Sequence, residues 1–296
     1  MTKQASEAKA KQRRELGDTI KRLAQEIAEG NGDEVYDRFL TWMSKLHRYS
    51  FGNIALAQWQ WSARQAEDPS LPELSYLGSY KALQKVGRQV RKGERGLAIF
   101  VPWQLRGRVV EDEETGEQTF QPPRTIFRIG HVFDISQTDG DEVPRFVMDT
   151  PAIADALPTL LDLAASDGIL VDFTDTGAAE GISLGGRIKI QESSPPGIQA
   201  HTLIHELAHE YLHQTGGRRP EEQGLIEGEA EGTAVVVLRA LGVDVASNSA
   251  AYIRGHGCTA EGIIRSMDRI ARTARKILDA FTPEPTPAEE EASEVS

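Results

Sequence analysis

The sequence predicts an α+β protein in two domains, with N-terminal helices and a small antiparallel sheet followed by a second α+β domain. Three observations predict it. Apolar residues recur at helical spacing to about residue 66 and then give way to short alternating stretches. A His-Glu-x-x-His segment lies within a helical pattern in the second half. The charge balance also changes near residue 150. Residues 1–150 contain 22 Lys and Arg and 22 Asp and Glu, whereas residues 151–296 contain 11 Lys and Arg and 23 Asp and Glu.

The composition of the whole chain favours a cytoplasmic protein. Its 296 residues are enough for two hydrophobic cores. Cys258 is the one cysteine in the chain, so no internal disulfide can form and a reducing compartment is expected. The N-terminus lacks an apolar leader, and no run of about 18 apolar residues is present to cross a membrane. We therefore expect a cytoplasmic location and no membrane partner.

The first domain is predicted at residues 1–147. Helices are expected at residues 6–29, 35–46, 50–66 and 79–86, with Ser50, Asp68-Pro69 and Gly87 as boundary signals. A strand is predicted at residues 97–101, ended by Pro102, and a returning strand at residues 125–133, with an acidic turn at residues 111–116 between them. The helices precede the strands, which is typical of an α+β domain.

Cations concentrate between residues 80 and 108, where eight Lys and Arg residues accompany a single acid, Glu94. Aromatic residues are interleaved with them. Cations that follow a phosphate backbone, together with rings on which unpaired bases stack, are what a single-stranded nucleic-acid groove requires. The alternative is an ordinary solvated turn whose rings are half-buried in the core. The candidate DNA contacts are Tyr80, Lys85, Arg88, Arg91, Lys92, Arg95 and Trp103.

The second domain is predicted at residues 148–281, after a helix start at Asp149-Thr150-Pro151. A helix at 151–165, a strand at 169–173 and a strand at 182–190 broken by Gly185-Gly186 come first. The strand before the His-Glu-x-x-His helix is expected at a sheet edge, where an extended peptide could pair with it. A further helix is expected at 260–281, and residues 282–296 are predicted to be a disordered acidic tail.

His205 and His209 are the candidate metal ligands in this domain. On an α-helix, residues four apart lie about 40° apart around the axis and about 6 Å along it, so both imidazoles can close on one ion. Zinc with three protein ligands keeps a position for water and lowers the pKa of that water to about 7. Glu206 lies beside the pair and is the candidate base that accepts the proton of the water. This is the chemistry of peptide hydrolysis.

The third ligand is sought in the helix at residues 225–238, which carries three acids. Glu227 and Glu231 share a face with small residues, whereas Glu229 is rotated about 200° from Glu227. We therefore select Glu227 as the ligand and Glu231 as the acceptor for the outer N–H of a ligand histidine. The alternative is that all three acids form a solvated face. Tyr252 and His256 are candidates, by residue type alone, for stabilising the oxyanion.

Motifs in both halves resemble known families. The His205-Glu-Leu-Ala-His209 helix, followed by Glu227-Gly-Glu-Ala-Glu231, resembles the gluzincin-type metallopeptidase domain of ImmA/IrrE-like proteins and the C-terminal part of ArdC-type antirestriction proteins. Four first-half blocks resemble the N-terminal single-stranded-DNA-binding domain of ArdC-type proteins; they are Tyr49-Ser50-x-x-Asn53 with Gln58, residues 86–96, the strand into Pro102, and residues 132–138. Tyr80 stands where many members of that family have Trp.

The resemblance implies an antirestriction-like protein of a bacterial mobile element or phage, which binds single-stranded DNA and carries a zincin-like peptidase domain. The implied cofactor is zinc, with manganese as the alternative, and the implied partners are single-stranded DNA and an unidentified protein or peptide substrate. Two other functions stay open. One is a non-enzymatic DNA shield with a structural metal, and the other is an ImmA-like peptidase that cleaves a repressor. A base at Glu206 favours the enzymes over the shield.

Overall fold

The computed structural model describes residues 11, 14–22, 24–25, 32–111, 118–140, 153–213, 223–245 and 260–281. It combines helices with small sheets, so the predicted α+β class is confirmed. The chain forms two compact units. We call Trp59–Glu142 the sheet unit, and Glu15–Gln58 together with Val143–Glu284 the helical unit. The predicted boundary at residues 147–148, the acidic turn after Glu111 and the acidic tail lie outside the described residues.

The first half contains helices α1 (residues 14–22), α2 (Gly32–Lys45), α3 (Phe51–Glu67) and α4 (Tyr80–Lys85), and strands β1 (Leu77–Gly78), β2 (Arg88–Val90), β3 (Leu97–Leu105), β4 (Arg108–Glu111), β5 (Gln118–Gln121), β6 (Arg124–Asp134) and β7 (Thr138–Gly140). Ser79 caps α4 by accepting from the backbone N–H of Ala82, and Gly87 follows α4 with a φ of 74°. Gly87 therefore ends the helix as the sequence predicted, and the Ser79 cap explains why the helix begins where it does.

β3 and β6 form a long antiparallel ribbon in the sheet unit. β3 continues through Pro102 to Leu105, so the prediction that Pro102 ends the strand is wrong. The order β1-β6-β3 leaves β3 at the edge of its sheet, where proline is tolerated because its missing N–H interrupts no ladder on the open side. Leu97, Ala98 and Ile99 are buried, whereas residues 102–104 are exposed.

Asp134 fixes the end of β6. Its side chain is fully buried, and it accepts hydrogen bonds from the backbone N–H groups of Ser75 at 2.9 Å and Tyr76 at 3.2 Å. Gln137 accepts from the backbone N–H of Asp134 and donates to the carboxylate of Glu94 at 2.9 Å. A buried carboxylate needs such donors, so this block holds the sheet unit together.

The second half contains a 3-10 turn (Ile153–Ala156), helices α5 (Leu157–Ser166), α6 (Pro196–His213), α7 (Gln223–Ala240) and α8 (Ala260–Asp279), and strands β8 (Leu170–Thr174), β9 (Gly181–Ser183) and β10 (Arg187–Gln191). None of the helices in the described part of the chain is long and apolar enough to cross a membrane.

α2 packs against α7 inside the helical unit. A Cβ at Gly232 would lie only 2.8 Å from the hydroxyl of Tyr36, so the glycine permits this close approach. Arg239 of α7 donates to the carboxylate of Asp37 at 2.7 Å and to the hydroxyl of Thr41 at 2.9 Å. These contacts place residues from the start of the chain in the core around α7.

β8, β10 and β9 form a three-stranded sheet in which β10 lies in the centre. The single broken strand predicted at residues 182–190 is therefore a hairpin, with Gly185 and Gly186 at φ values of 85° and 76° in its turn. The expectation that the strand before α6 lies at a sheet edge is also wrong, because β10 pairs on both sides. The edge strands of this sheet are β8 and β9.

Candidate functional site

Three candidate ligands on α6 and α7 come together in the helical unit. The Nε2 atoms of His205 and His209 lie 3.0 Å apart. Oε2 of Glu227 lies 3.6 Å from Nε2 of His205 and 3.4 Å from Nε2 of His209. The three ligand atoms fall within 4.8 Å of one another. Two imidazole nitrogens and one carboxylate oxygen directed at a common point form a donor set that suits a divalent cation.

The electrostatics of these side chains favour positive charge between them. Burial lowers the pKa of His205, but the carboxylates of Glu227 and Glu231 outweigh burial and raise it to about 9. Hydrogen bonds from His205 and His209 hold the pKa of Glu227 well below its usual range. Nδ1 of His209 is buried and has no hydrogen-bond partner in the described part of the chain. The donor set therefore fits a cation.

The other two acids of α7 point to different partners. Oε2 of Glu231 lies 3.5 Å from Nδ1 of His205, the ring nitrogen that faces away from Glu227. Glu229 is only 1% exposed and lies 3.3 Å from Nη2 of Arg269 and 3.5 Å from Nε2 of His213. Burial raises the pKa of Glu229. Glu229 thus belongs to a separate buried cluster behind the three candidate ligands.

The candidate base Glu206 lies against the edge strand β9. Its side chain is 7% exposed, and a Cβ at Gly181 would lie 2.9 Å from its Oε1 atom and 2.5 Å from Cγ2 of Thr202. Gly181 therefore lets β9 approach the carboxylate closely, and a larger residue would force one of them to move. Across from β10, β9 has no strand partner among the described residues. Its open edge begins beside Glu206.

Glu210, which the sequence reasoning missed, fixes the turn between β9 and β10. Its buried carboxylate accepts from the hydroxyl of Ser183 at 2.6 Å and from the backbone N–H groups of Gly185 at 3.1 Å and Gly186 at 2.7 Å. The signal in the sequence is an acid directly after His209 in a helical stretch that also carries Leu207 and Leu212, because a carboxylate among apolar residues requires donors. Glu210 joins the helix of the candidate ligands to the sheet edge.

We expect Glu210→Gln to loosen the β9–β10 turn. The amide N–H₂ of glutamine would face the backbone N–H groups of the turn, so Gly185 or Gly186 would lose its acceptor. Leaving one such donor without an acceptor should lower the free energy of unfolding by roughly 1–3 kcal/mol. Hydrogen–deuterium exchange should become faster at residues 181–191, and the melting temperature should fall. Glu192→Gln, an exposed acid after β10, is the matched control. Unchanged exchange in the Glu210 variant would contradict this role.

Two of the candidate DNA contacts, Arg88 and Arg91, make hydrogen bonds within the sheet unit. Arg88 donates from Nε to the hydroxyl of Thr138 at 2.6 Å and from Nη2 to the carbonyl of the same residue at 2.9 Å. Arg91 donates from Nη2 to Glu94 at 2.9 Å and to the carbonyl of Ser136 at 2.6 Å. The two guanidinium groups hold β2, the following turn and β7 together.

The other candidate DNA contacts lie at the surface of the same unit. Lys85, Lys92 and Arg95 are exposed. Tyr80 is 44% exposed, and its hydroxyl accepts from Gln89 at 2.6 Å. Trp103 is 36% exposed and lies on β3, away from the turn. The candidates thus occupy two places, the segment from α4 to β3 and the ribbon. Tyr252 and His256 lie outside the described residues.

A comparison with protein families finds a match in the first half of the chain. Residues 14–133 match the family model of the N-terminal domain of anti-restriction factor ArdC. This match agrees with the four sequence blocks that resemble ArdC-type proteins. It ends before the candidate metal ligands, so the peptidase resemblance of the second half stays a prediction.

Two curated proteins are similar to the chain. The uncharacterized protein pXO2-81 of Bacillus anthracis is 23% identical over 298 residues, which cover 84% of this chain and 51% of the relative. The uncharacterized protein y4eC of Sinorhizobium fredii is 36% identical over 88 residues, which cover 29% of this chain and 27% of the relative. The chain therefore spans about half the length of the first relative and about a quarter of the second.

Two solved structures, both of the antirestriction ArdC protein from plasmid R388, are also similar. The metal-free structure has a TM-score of 0.47 and 20% identity, covering 84% of this chain and 96% of that one. The Mn(II)-bound structure has a TM-score of 0.49 and 16% identity, covering 91% of this chain and 99% of that one.

Proposed function

We propose that the chain is an ArdC-type antirestriction protein of a mobile element, which binds single-stranded DNA through its first half and carries a zinc-dependent peptidase centre in its second half. The match of residues 14–133 to the ArdC N-terminal domain supports the first part. The observation that carries the second part is the convergence of His205, His209 and Glu227 on one point, with the carboxylate of Glu206 buried beside them.

The side chains divide the work of hydrolysis in this proposal. His205, His209 and Glu227 would hold the ion, with manganese as the alternative to zinc. When bound, zinc would supply Lewis acidity, which polarises a carbonyl group and acidifies water. Glu206 would accept the proton of the attacking water and return it to the leaving amine. Glu231 would accept a hydrogen bond from the Nδ1–H group of His205 and so hold that ring in the tautomer whose Nε2 can bind the ion.

The open edge of β9 is where an extended peptide would bind. Main-chain pairing with an edge strand holds a peptide irrespective of most of its side chains. Gly181 brings this edge within contact distance of Glu206. A peptide paired along β9 would therefore present its carbonyl groups close to the proposed base, and Glu210 would keep the edge in register through the turn at Gly185 and Gly186.

The test of the proposed peptidase is Glu206→Gln. Glutamine preserves the shape of the side chain but cannot accept the proton, so we expect unchanged zinc content and a loss of hydrolysis of at least about 100-fold. Both proteins would be loaded with zinc and incubated with a peptide library derived from a bacterial proteome. New peptide termini are counted by mass spectrometry, and a chelator-treated parent sample gives the background.

Two outcomes would contradict the proposal. Equal cleavage by Glu206→Gln and the parent would remove Glu206 from the reaction. A parent that binds one zinc ion tightly but produces no new termini would indicate a structural metal in a DNA-binding protein. Thr176→Ala, a partly exposed position between β8 and β9, serves as the control for handling and loading.

A further inference from the structure

The outer half of the β3–β6 ribbon carries exposed cations and rings. From residue 102 onward on β3, and from residue 128 backward on β6, most side chains are exposed. Trp103 is 36% exposed and Phe127 is 50% exposed. An exposed ring with cations near it is the arrangement on which an unpaired base can stack while its phosphates are neutralised.

The register separates these side chains onto two faces. Trp103 is paired with Ile126, and Val101 is paired with Arg128. Because alternate residues of a strand share a face, Trp103 lies on the same face as Arg124 and Arg128. Phe127 is paired with Pro102 and lies on the opposite face. We call the first of these, formed by Trp103, Arg124 and Arg128, the cationic face.

The two arginines of the cationic face are available to a partner. The guanidinium carbon of Arg128 lies 3.9 Å from the centre of the Trp103 ring, which shows that the ring accepts a flat cationic group stacked on it. Arg124 and Arg128 make no ion pair within the described ranges. They lie about 13 Å apart along the strand. By contrast, Arg88 and Arg91 use their donors within the sheet unit.

The opposite face lacks the charge that a polyanion requires. Around Phe127 it presents Pro102, Gln104 and Thr125, all of which are uncharged. A ring without neighbouring cations can stack a base but cannot neutralise the phosphates on either side of it. The two faces therefore differ in charge while each carries one exposed ring, which makes them a matched pair for comparison.

We infer that the cationic face of the ribbon is the surface that contacts single-stranded nucleic acid. This inference rests on the proposed DNA binding and names the surface that carries it. Trp103 stacks on an unpaired base in place of the Arg128 guanidinium, and Arg124 and the displaced Arg128 bind phosphates on either side of that base. Stacking and phosphate contacts recognise no particular base, so the site takes single strands with little sequence preference. The turn at Arg88 and Arg91 shapes the sheet unit instead.

The test uses the full chain and a fluorescein-labelled oligothymidylate, with binding followed by fluorescence anisotropy over a salt series. Replacing Arg124 and Arg128 together by alanine should make the slope of log K against log salt shallower by about 1.4, because each phosphate contact contributes about 0.7. Trp103→Ala should weaken binding roughly tenfold and leave the slope unchanged, since stacking releases no counterions. Phe127→Ala, on the opposite face, should bind like the parent.

The outcomes separate this assignment from the proposed function. If the Arg124/Arg128 double variant and Trp103→Ala both bind the oligonucleotide as tightly as the parent, the assignment to the cationic face is wrong, but the proposal of DNA binding stands. If Phe127→Ala weakens binding as much as Trp103→Ala, the assignment to one face is wrong. If the parent does not bind the oligonucleotide, the DNA-binding proposal fails. Photocrosslinking of an iododeoxyuridine-substituted strand to the parent, mapped by mass spectrometry, tests the contact at Trp103 without any variant.

Discussion

Alanine at His205 or His209 is expected to remove tight metal binding from the chain. Each change deletes one of three donors that converge within 4.8 Å, and two remaining donors cannot close on an ion. The loss of affinity should exceed about 100-fold, which is the upper end of the effect of removing a partner outside the ligand set. Hydrolysis should disappear in both variants, since the ion would no longer be held beside Glu206.

The measurement is competition for zinc against a chromophoric chelator, with metal content determined on the same samples. His201→Ala is the matched control, because His201 lies one turn before His205 on α6 and is half-buried like it, but is not among the three converging residues. It should keep zinc affinity within a few-fold. If His201→Ala loses as much affinity as His205→Ala, the ion lies elsewhere along the helix.

Glu227→Ala is expected to weaken metal binding, whereas Glu229→Ala is expected to destabilise the fold. Glu227 lies within 3.6 Å of both ligand histidines, so its loss should reduce zinc affinity by more than about 100-fold. Glu229 is buried beside Arg269, so its loss should destabilise the fold by roughly 1–3 kcal/mol. Its zinc affinity should change little.

Chelator competition and urea unfolding of the metal-free proteins would be measured on both variants. Glu231→Ala should lie between them in zinc affinity, with a loss of about 10–100-fold, because Glu231 contacts a ligand and does not belong to the converging group. A larger loss of zinc affinity at Glu229 than at Glu227 would contradict the choice of ligand.

The candidate site could be predicted from the sequence because its parts depend on helical spacing. His205 and His209 are four residues apart, and the face of α7 that carries Glu227 and Glu231 follows from 3.6 residues per turn. Local signals also predicted the end of α4 at Gly87. These features depend on residues that are close in the chain, where the physical rules are strongest.

Contacts between distant segments could not be predicted in this way. Nothing local indicates that Glu210 binds a glycine turn 24 and 25 residues earlier, or that Arg88 pairs with Thr138, 50 residues later. The composition made Arg88 and Arg91 look like free cations because a charge run does not reveal its partners. The strand boundary predicted at Pro102 was wrong for a related reason. Proline is tolerated in an edge strand, and whether β3 is an edge strand depends on which distant strands pair with it.

The central claim is that two histidines and one glutamate hold one metal ion, and X-ray absorption at the zinc edge tests it most directly. For the zinc-loaded parent we predict two imidazole nitrogens and carboxylate or water oxygens at about 2.0–2.2 Å, without sulfur. The His209→Ala protein, if it retains any zinc, should show one imidazole fewer. A sulfur ligand at about 2.3 Å, which Cys258 as the one cysteine could supply, would contradict the claim.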